Sequence, residues 1–182
     1  MRGYRPQLAL AEISAVDDSG KQQTVSHYAF KGEDHSGVYR PQPFGMSSRP
    51  PKGSTGIVVS LGGERSRSVF FGGEHDDHRP RDLEEGEAKL YDAEGNLIYL
   101  SRKNGTKIKT VKGDTVIETD DGKLTLSSKG DKTLESKNGK VTMKASGDVV
   151  IEASGKILLG GAGASAAVAT DAGYSTKVFA VL

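Results

Sequence analysis

The residues of this chain best suited to chemistry form the run His75-Asp76-Asp77-His78. Imidazole and carboxylate groups are ligands of first-row divalent metals, so His75, Asp77 and His78 are weak candidates for metal ligands. Their spacing is loose, and the run lies in a charged stretch of the chain. A solvated turn is therefore the favoured interpretation, and we predict no metal site here.

Two other patterns that accompany catalysis or nucleotide binding are incomplete. The pairs Gly62-Gly63 and Gly72-Gly73 are followed neither by a helix-forming run nor by the Gly-Lys-Ser/Thr ending that holds phosphates, which favours turns or bulges. The sequence contains no Gly-x-Ser-x-Gly elbow, and no histidine stands near a nucleophile by sequence pattern. We therefore predict a protein that is not an enzyme and that needs no cofactor.

A repeat dominates the second half of the chain. From Asp92 to Leu159 a glycine-centred turn recurs every eight to ten residues, often as Asn-Gly, Asp-Gly or Gly-Asp. These pairs supply the positive φ of sharp turns. Between the turns, polar and apolar residues alternate with a period of two, which predicts short strands, each with one apolar face. The predicted strands are 107–111, 115–119, 123–126, 140–144 and 148–152.

The apolar face of these strands needs a cover. The sequence encodes neither a helix nor a second apolar layer between Tyr99 and Gly160. An uncovered stripe of this length would approach or exceed the few hundred Å² of contiguous apolar surface that soluble monomers show. Identical chains wrapped around a shared axis would cover the stripe and pair every strand edge. A single-chain β-solenoid is the alternative, but it usually needs longer rungs.

Composition favours an elongated assembly over a compact enzyme. The 182 residues are 35% apolar and 6% aromatic, with 24 glycines, no tryptophan and no cysteine, which is thin material for one globular core. The formal net charge of +1 gives no electrostatic reason to expect a nucleic acid or an anionic membrane as partner. The sequence shows neither a signal-peptide pattern nor a run of eighteen apolar residues.

The aromatic residues concentrate before residue 92 and indicate a separate N-terminal core. Turn-forming clusters there separate five short strand candidates, with no convincing helix. An OB-fold, the five-stranded barrel that often binds oligonucleotides or oligosaccharides, is the most economical arrangement at this length. The strand candidates are 8–16, 24–31, 36–44, 56–61 and 66–71. A last strand is predicted at Lys177–Val181.

Three segments carry a resemblance to a known family. They are Ser60-Leu61-Gly62-Gly63-Glu64-Arg65-Ser66, then Gly72-Gly73-Glu74-His75 with Arg79-Pro80, and then Gly86-Glu87-Ala88-Lys89-Leu90-Tyr91-Asp92 with Gly95-Asn96. In these segments the chain resembles the baseplate central spike family of Mu-like contractile-tail phages. The glycine-turn region is similar in kind to the trimeric β-helix of that family.

The resemblance implies an all-β homotrimer, with an N-terminal OB-fold-like small barrel followed by an intertwined trimeric (triple-stranded) β-helix. We divide the chain into an OB-fold-like collar (1–75), a connector (76–88), a β-helix spike shaft (89–159) and a C-terminal tip or docking segment (160–182). The implied partners are the baseplate hub and tail-tube proteins, with transient contact with the host outer membrane. The implied location is the virion tail baseplate, after assembly in the host cytoplasm.

Many spikes of this group carry a His-x-His iron site near the tip. Here all four histidines lie at or before His78, so we expect no histidine-ligated iron. The end of the chain is then either a metal-free closure or a docking surface for a separate tip protein. Oxygen atoms from three chains could still coordinate a hard cation on the axis.

We predict that the apolar side chains of the shaft face the threefold axis and form the trimer core. The predicted core residues are Ile108, Val116, Leu124, Leu126, Leu134, Val141, Met143, Val149, Ile151, Ile157 and Leu159.

Two rival functions remain open from the sequence. An OB-fold that binds single-stranded nucleic acid would need aromatic platforms among basic residues, and Tyr28, Phe30, Tyr39, Arg40 and Phe44 are available. The same aromatic residues are needed to fill a small barrel, and the charge is balanced, so we predict no nucleic-acid partner. A trimeric fibre or adhesin would normally end in an aromatic-rich receptor domain, whereas the segment after Gly160 is rich in alanine and glycine.

Overall fold

The computed structural model describes residues 7–30, 33–64, 66–160, 166–170 and 173–180. Apart from a short 3₁₀ turn at Leu61–Gly63, the regular structure of these residues is all β. Contacts between Cα atoms divide the chain into two compact units, Met1–Glu118 and Thr119–Leu182.

Five strands of the first unit close into a small barrel. The strands are β1 (Gln7–Asp17), β2 (Thr24–Phe30), β3 (Glu33–Tyr39), β4 (Thr55–Ser60) and β5 (Ser68–Glu74). Their order around the barrel is β1-β2-β3-β5-β4, with β3 and β5 parallel and every other pair antiparallel. The predicted all-β barrel is thus confirmed, and it is consistent with a small OB-like barrel.

The third strand differs from its prediction. It ends at Tyr39, whereas the sequence pattern extended it to Phe44. Pro41 and Pro43 follow directly, and a proline has no N–H to donate to a neighbouring strand. The side chain of Phe44 is consequently fully exposed in a loop.

The barrel core is small. The side chains that alternate inward from the strands are Ala11, Ile13, Val25, Val38, Val58 and Phe70. His27 is also buried there, its ring centroid 5.9 Å from that of Phe70 and 5.5 Å from that of His35. Neither ring nitrogen of His27 has a hydrogen-bond partner among the described residues. Burial, followed by the nearby His35, lowers the pKa of His27, so the ring is held neutral as a filler of the core.

A pair of glycines brings β4 and β5 into close contact. Gly56 and Gly72 face each other in the strand register. A Cβ atom on Gly56 would lie 2.4 Å from the carbonyl oxygen of Phe71, and one on Gly72 would lie 2.9 Å from the Cα of Gly56. Gly72 also has a φ of +116°, which side chains disfavour. The Gly72-Gly73 pair is therefore a structural element of the barrel.

A second sheet of the first unit follows the connector. It is an antiparallel meander of β6 (Ala88–Tyr91), β7 (Leu97–Ser101) and β8 (Gly105–Lys109). Only β8 overlaps a strand predicted from the sequence, at 107–111. The strands β6 and β7 were missed, although they flank the turn at Gly95-Asn96, which is a hairpin signal.

In the repeat region the chain bends at regular intervals. Bends occur at 111–113, 120–122, 129–130, 137–139, 146–147 and 154–155, and each ends on a glycine. The bend glycines follow one another at eight or nine residues, as the repeat predicts. The expected positive φ is present at Gly95, Gly105, Gly113 and Gly122 but at none of the four later bend glycines.

Between these bends the chain does not form the predicted strands. Residues 110–156 are all described, and they take no part in a sheet of this single chain. The four strands predicted at 115–119, 123–126, 140–144 and 148–152 therefore have no partner strand within the described residues of one copy. A strand exists only where another strand accepts and donates its hydrogen bonds.

The second unit ends in a three-stranded sheet. Its strands are β9 (Ile157–Leu159), β10 (Ala166–Thr170) and β11 (Gly173–Ala180), in the order β10-β11-β9. The strand β11 is antiparallel to β10 and parallel to β9. It contains most of the strand predicted at Lys177–Val181, and Val181 lies outside the described residues. No helix in the described part of the chain has the length and apolar character needed to cross a membrane.

Candidate assembly site

The predicted core residues of the shaft are exposed in the single chain. Leu134 is 77% exposed, Leu126 67% and Val141 55%. One such residue is ordinary on a soluble protein, but a whole set of exposed large apolar side chains is not. The other predicted core residues at 108–151 are exposed in the same way, and in β9 Ile157 is half-buried and Leu159 exposed. The predicted set is thus exposed or half-buried in this copy, and we refer to these side chains together as the apolar surface of the repeat region.

The bends give this surface a register. Counted from the bend glycines, the second and fourth residues of a segment are Leu124 and Leu126 after Gly122, and Val141 and Met143 after Gly139. The same positions hold Val149 and Ile151, and Ile157 and Leu159, after the next two bends. In the segment after Gly113 the fourth residue is Ile117, which is 66% exposed and was not among the predicted core residues. The predicted residue there, Val116, is the third.

A second apolar surface lies on the outer face of the barrel. Across β1, β4 and β5 the strand register places six apolar side chains in two rows of three. Leu10 and Leu8 are the most exposed members, and Phe71 is half exposed. Because adjacent strands carry these side chains directly opposite each other, they form one continuous patch. The two rows are Leu8, Val59 and Val69, and Leu10, Ile57 and Phe71.

The metal-ligand candidates form a turn. The backbone amides of His78 and Arg79 donate to the carbonyl oxygen of His75, and the amide of Asp77 donates to Nδ1 of His75 over 3.2 Å. The rings of His75 and His78 approach each other at 4.7 Å between centroids. Arg79 forms an ion pair with Glu74. Nowhere in the described chain do three histidine, aspartate or glutamate side chains converge as a metal site would require.

Arg40, the basic residue among the nucleic-acid candidates, is used inside the fold. Its guanidinium donates to the carbonyl oxygens of Gly72 and Ser48, each over 3.0 Å, and to Oε1 of Gln23 over 2.8 Å. These bonds tie the loop after β3 to the barrel. A guanidinium whose donors are committed in this way is poorly placed to neutralise a phosphate.

Glu87 fastens the connector to the meander. Its carboxylate accepts hydrogen bonds from the hydroxyl groups of Tyr99 and Ser101 and from the backbone amides of Glu84 and Arg102. Mainly through the hydrogen bond from Tyr99, the pKa of Glu87 is lowered to about 2. A carboxylate with this many donors is held in its ionised form.

This arrangement predicts a specific acid response. The stabilisation supplied by ionised Glu87 is complete above the ordinary glutamate pKa of 4.5 and is lost as the pH falls through about 2. In the Tyr99→Phe variant the largest contribution is removed, so the pKa of Glu87 should rise toward 4.5. Carbon-13 NMR titration of the labelled carboxyl group measures both values. Equal titration in the two proteins would contradict the role of Tyr99.

The next motif residues build the hairpin turn between β6 and β7. The carboxylate of Asp92 accepts hydrogen bonds from the amides of Glu94 and Asn96, over 3.0 and 2.9 Å, and from the side-chain amide of Asn96 over 2.7 Å. The Oδ1 atom of Asn96 in turn accepts a hydrogen bond from the amide of Val111. Gly95 closes the turn with a φ of +87°. The hydrogen bonds of the segment from Gly86 to Asn96 therefore stabilise the hairpin at the start of the repeats.

Comparison with known proteins gives these features a context. Residues 11–77 match the family described as Bacteriophage Mu Gp45, N-terminal. The chain is 32% identical over 112 residues to the baseplate puncturing device gp45 of Escherichia phage Mu, a match that covers 62% of this chain and 56% of the relative. It is 35% identical over 119 residues to the Mu-like prophage FluMu protein gp45 of Haemophilus influenzae, a match that covers 65% of this chain and 64% of the relative.

These matches confirm the resemblance to the Mu-like baseplate spike family. The chain spans less than two thirds of the length of both relatives. The family match covers most of the barrel, and it includes the close Gly56–Gly72 contact and the beginning of the turn at His75.

Proposed function

We propose that this chain is the central spike of a contractile-tail baseplate. In this proposal three copies form a homotrimer with a collar of barrels and a triple-stranded β-helical shaft, and the shaft pierces the host outer membrane during tail contraction. The similarity to a baseplate puncturing device supports the role. The exposed apolar side chains and unpaired backbone of the repeat region in one copy support the trimer.

The observation that carries the proposal is the exposed apolar surface of the repeat region. Large side chains from Leu124 to Ile151 are more than half exposed in one chain, and residues 110–156 have no sheet partner in it. If both the apolar side chains and the backbone hydrogen-bonding groups stayed in water, the region would gain almost no free energy on folding. Other copies of the same repeat provide both missing partners.

The bend spacing fits three copies wound around one axis. If each segment between bends crosses one face of a three-sided shaft, the next segment of the same chain lies on the next face. The neighbouring segment on the same face then belongs to another copy, and the hydrogen bonds of every strand run between chains. Alternation with a period of two puts one set of side chains on the axis and the other in water.

The register from the bends refines the proposed trimer core. In this proposal the fourth residue after each bend glycine points inward, so Ile117 replaces Val116 as the core residue of its segment. The second residue joins it where it is apolar, after Gly122, Gly139, Gly147 and Gly155, whereas Thr115 and Lys132 hold the second position of the other two segments. The other proposed members from Leu124 to Leu159 keep their places. Ile108 precedes this register, since it lies in β8 and belongs to the meander.

The two ends of the chain serve assembly in this proposal. The apolar patch on the outer face of β1, β4 and β5 gives the collar a surface for contact with the baseplate hub and tail-tube proteins. The segment 160–182 closes the shaft or docks a separate tip protein. Because every histidine lies at or before His78, a histidine-ligated iron is not part of the proposed tip.

The proposed role is mechanical. Sheath contraction supplies the force, and the shaft transmits it while remaining folded, because each layer is crossed by hydrogen bonds between chains. No side chain acts as an acid, base or nucleophile in this account. The expected location is the tail baseplate of the virion, after assembly in the host cytoplasm.

Two measurements test the proposal. Native mass spectrometry of the full chain should give the mass of three copies, and a monomer would contradict it. In purified particles, antibody against the barrel should label the axial end of the baseplate before contraction. After contraction on host cells the label should lie at the outer membrane. Label along the sheath or the tail fibres would exclude the spike role.

A further inference from the structure

Charged residues follow the bend glycines in a regular order. The first residue after each successive bend glycine, from Gly113 to Gly155, is alternately an aspartate and a lysine, and all six side chains are exposed. The proposed trimer core does not explain this alternation, since in the proposed shaft this position points away from the axis. The six residues are Asp114, Lys123, Asp131, Lys140, Asp148 and Lys156.

When three copies are wound around one axis as proposed, residues that alternate along the sequence also alternate in space. On one face of a three-sided shaft, each segment lies beside the following segment of another copy, in parallel and in the same register relative to its bend. Neighbouring strands of a sheet are about 4.8 Å apart, so equivalent positions stack into a column at that spacing. From Lys123 to Lys156, every neighbour in the column then has the opposite charge.

We propose that this column is an interchain ladder of ion pairs that fixes the register of the three chains. The inference rests on the proposed trimer and goes beyond it, because it names the surface by which one copy recognises another. Each rung places the ammonium of one copy next to the carboxylates of its two neighbours. Opposite charges at neighbouring positions of adjacent strands stabilise the pairing, and like charges destabilise it.

The repeat itself creates the need for such a ladder. Every segment carries an apolar residue at its fourth position, and four of the six segments also carry one at the second, so a chain displaced by one repeat would still bury an apolar face. The same displacement would put Lys140 beside Lys123 or Lys156, and Asp131 beside Asp148. A shift by one repeat is the displacement that the apolar core opposes least. The alternation of charges destabilises this shifted arrangement, as polar residues do in other repetitive assemblies.

A charge-reversal cycle tests the ladder. Lys140→Asp and Asp148→Lys should each lower the urea midpoint of trimer dissociation, because each creates two like-charged contacts in every column. The double variant restores the attraction between positions 140 and 148. Two like-charged contacts remain, one between positions 131 and 140 and one between positions 148 and 156. Its midpoint should therefore be no lower than that of either single variant, whereas independent effects would add.

The control is Lys137→Asp, which makes the same charge change at a bend. Counted back from the bend glycines, its column neighbours are the uncharged Ser128 and Ala145, so the midpoint should stay close to that of the wild type. In 1 M NaCl, where the screening length is about 3 Å, the loss in Lys140→Asp should shrink. Lys140→Gln, which removes attraction without adding repulsion, serves if Lys140→Asp fails to assemble, and it should show a smaller, salt-sensitive loss.

Additive losses in the double variant, or equal losses at positions 140 and 137, would overturn the ladder. These outcomes leave the trimer itself untouched, because the wild-type mass is measured separately. A monomeric wild type would instead contradict the proposed function.

Discussion

The Val141→Asp variant is expected to lose the trimer. In a single copy Val141 is 55% exposed, so an aspartate there costs the isolated chain almost nothing. In the proposed shaft Val141 is the second residue after the bend glycine Gly139 and points to the axis. Three carboxylates would then meet in an apolar layer, at an effective desolvation cost of several kcal/mol each in addition to their mutual repulsion.

The matched control is Thr142→Asp. It adds the same charge one residue further along the chain, and its side chain points to water in the proposed shaft. Native mass spectrometry and resistance to heating measure both variants. Thr142→Asp should remain a trimer, and Val141→Asp should appear as monomer or aggregate. A heat-resistant Val141→Asp trimer would show that the inward assignment is wrong.

The sequence predicted the barrel well because its signals are local. The strands from Gln7 to Glu74 are bounded by glycine, proline and aspartate clusters, and their apolar residues alternate in a way that a single chain can satisfy. The two errors have different origins. The third strand ends at Tyr39 because two prolines follow, a local signal that the predicted strand overlooked. The burial of His27 is decided by tertiary contacts, and no pattern in the sequence marks it.

The repeat region illustrates the opposite case. The bends at Gly122, Gly130 and Gly139 were predictable, since a turn is encoded by its own residues. The strands between them were predicted from alternation, but a strand also needs a neighbour to accept its hydrogen bonds, and one copy does not supply it. For the same reason the interchain ladder follows only from the bend register: the charges are visible in the sequence, and their proximity depends on how the copies are wound.

The Phe70→Ala variant is expected to unfold the barrel. Phe70 is fully buried, and its ring lies over Gly56 and 5.9 Å from the ring of His27. Truncating such a phenylalanine typically costs about 3–5 kcal/mol. Apart from Phe70, the barrel core consists of five small or medium apolar side chains, so it has little stability in reserve. The near-ultraviolet circular dichroism of the barrel tyrosines should lose its cooperative melting transition.

The neighbouring Phe71→Ala variant provides the control. Phe71 is half exposed on the outer patch, so its loss should change barrel melting little. The mass of the Phe70→Ala assembly then decides how the two parts of the spike depend on each other. In the proposed spike the trimer core lies within the repeats, so three copies should persist when the barrel is unfolded. Dissociation of Phe70→Ala into monomers would mean that the folded collar is needed to bring the three shafts into register.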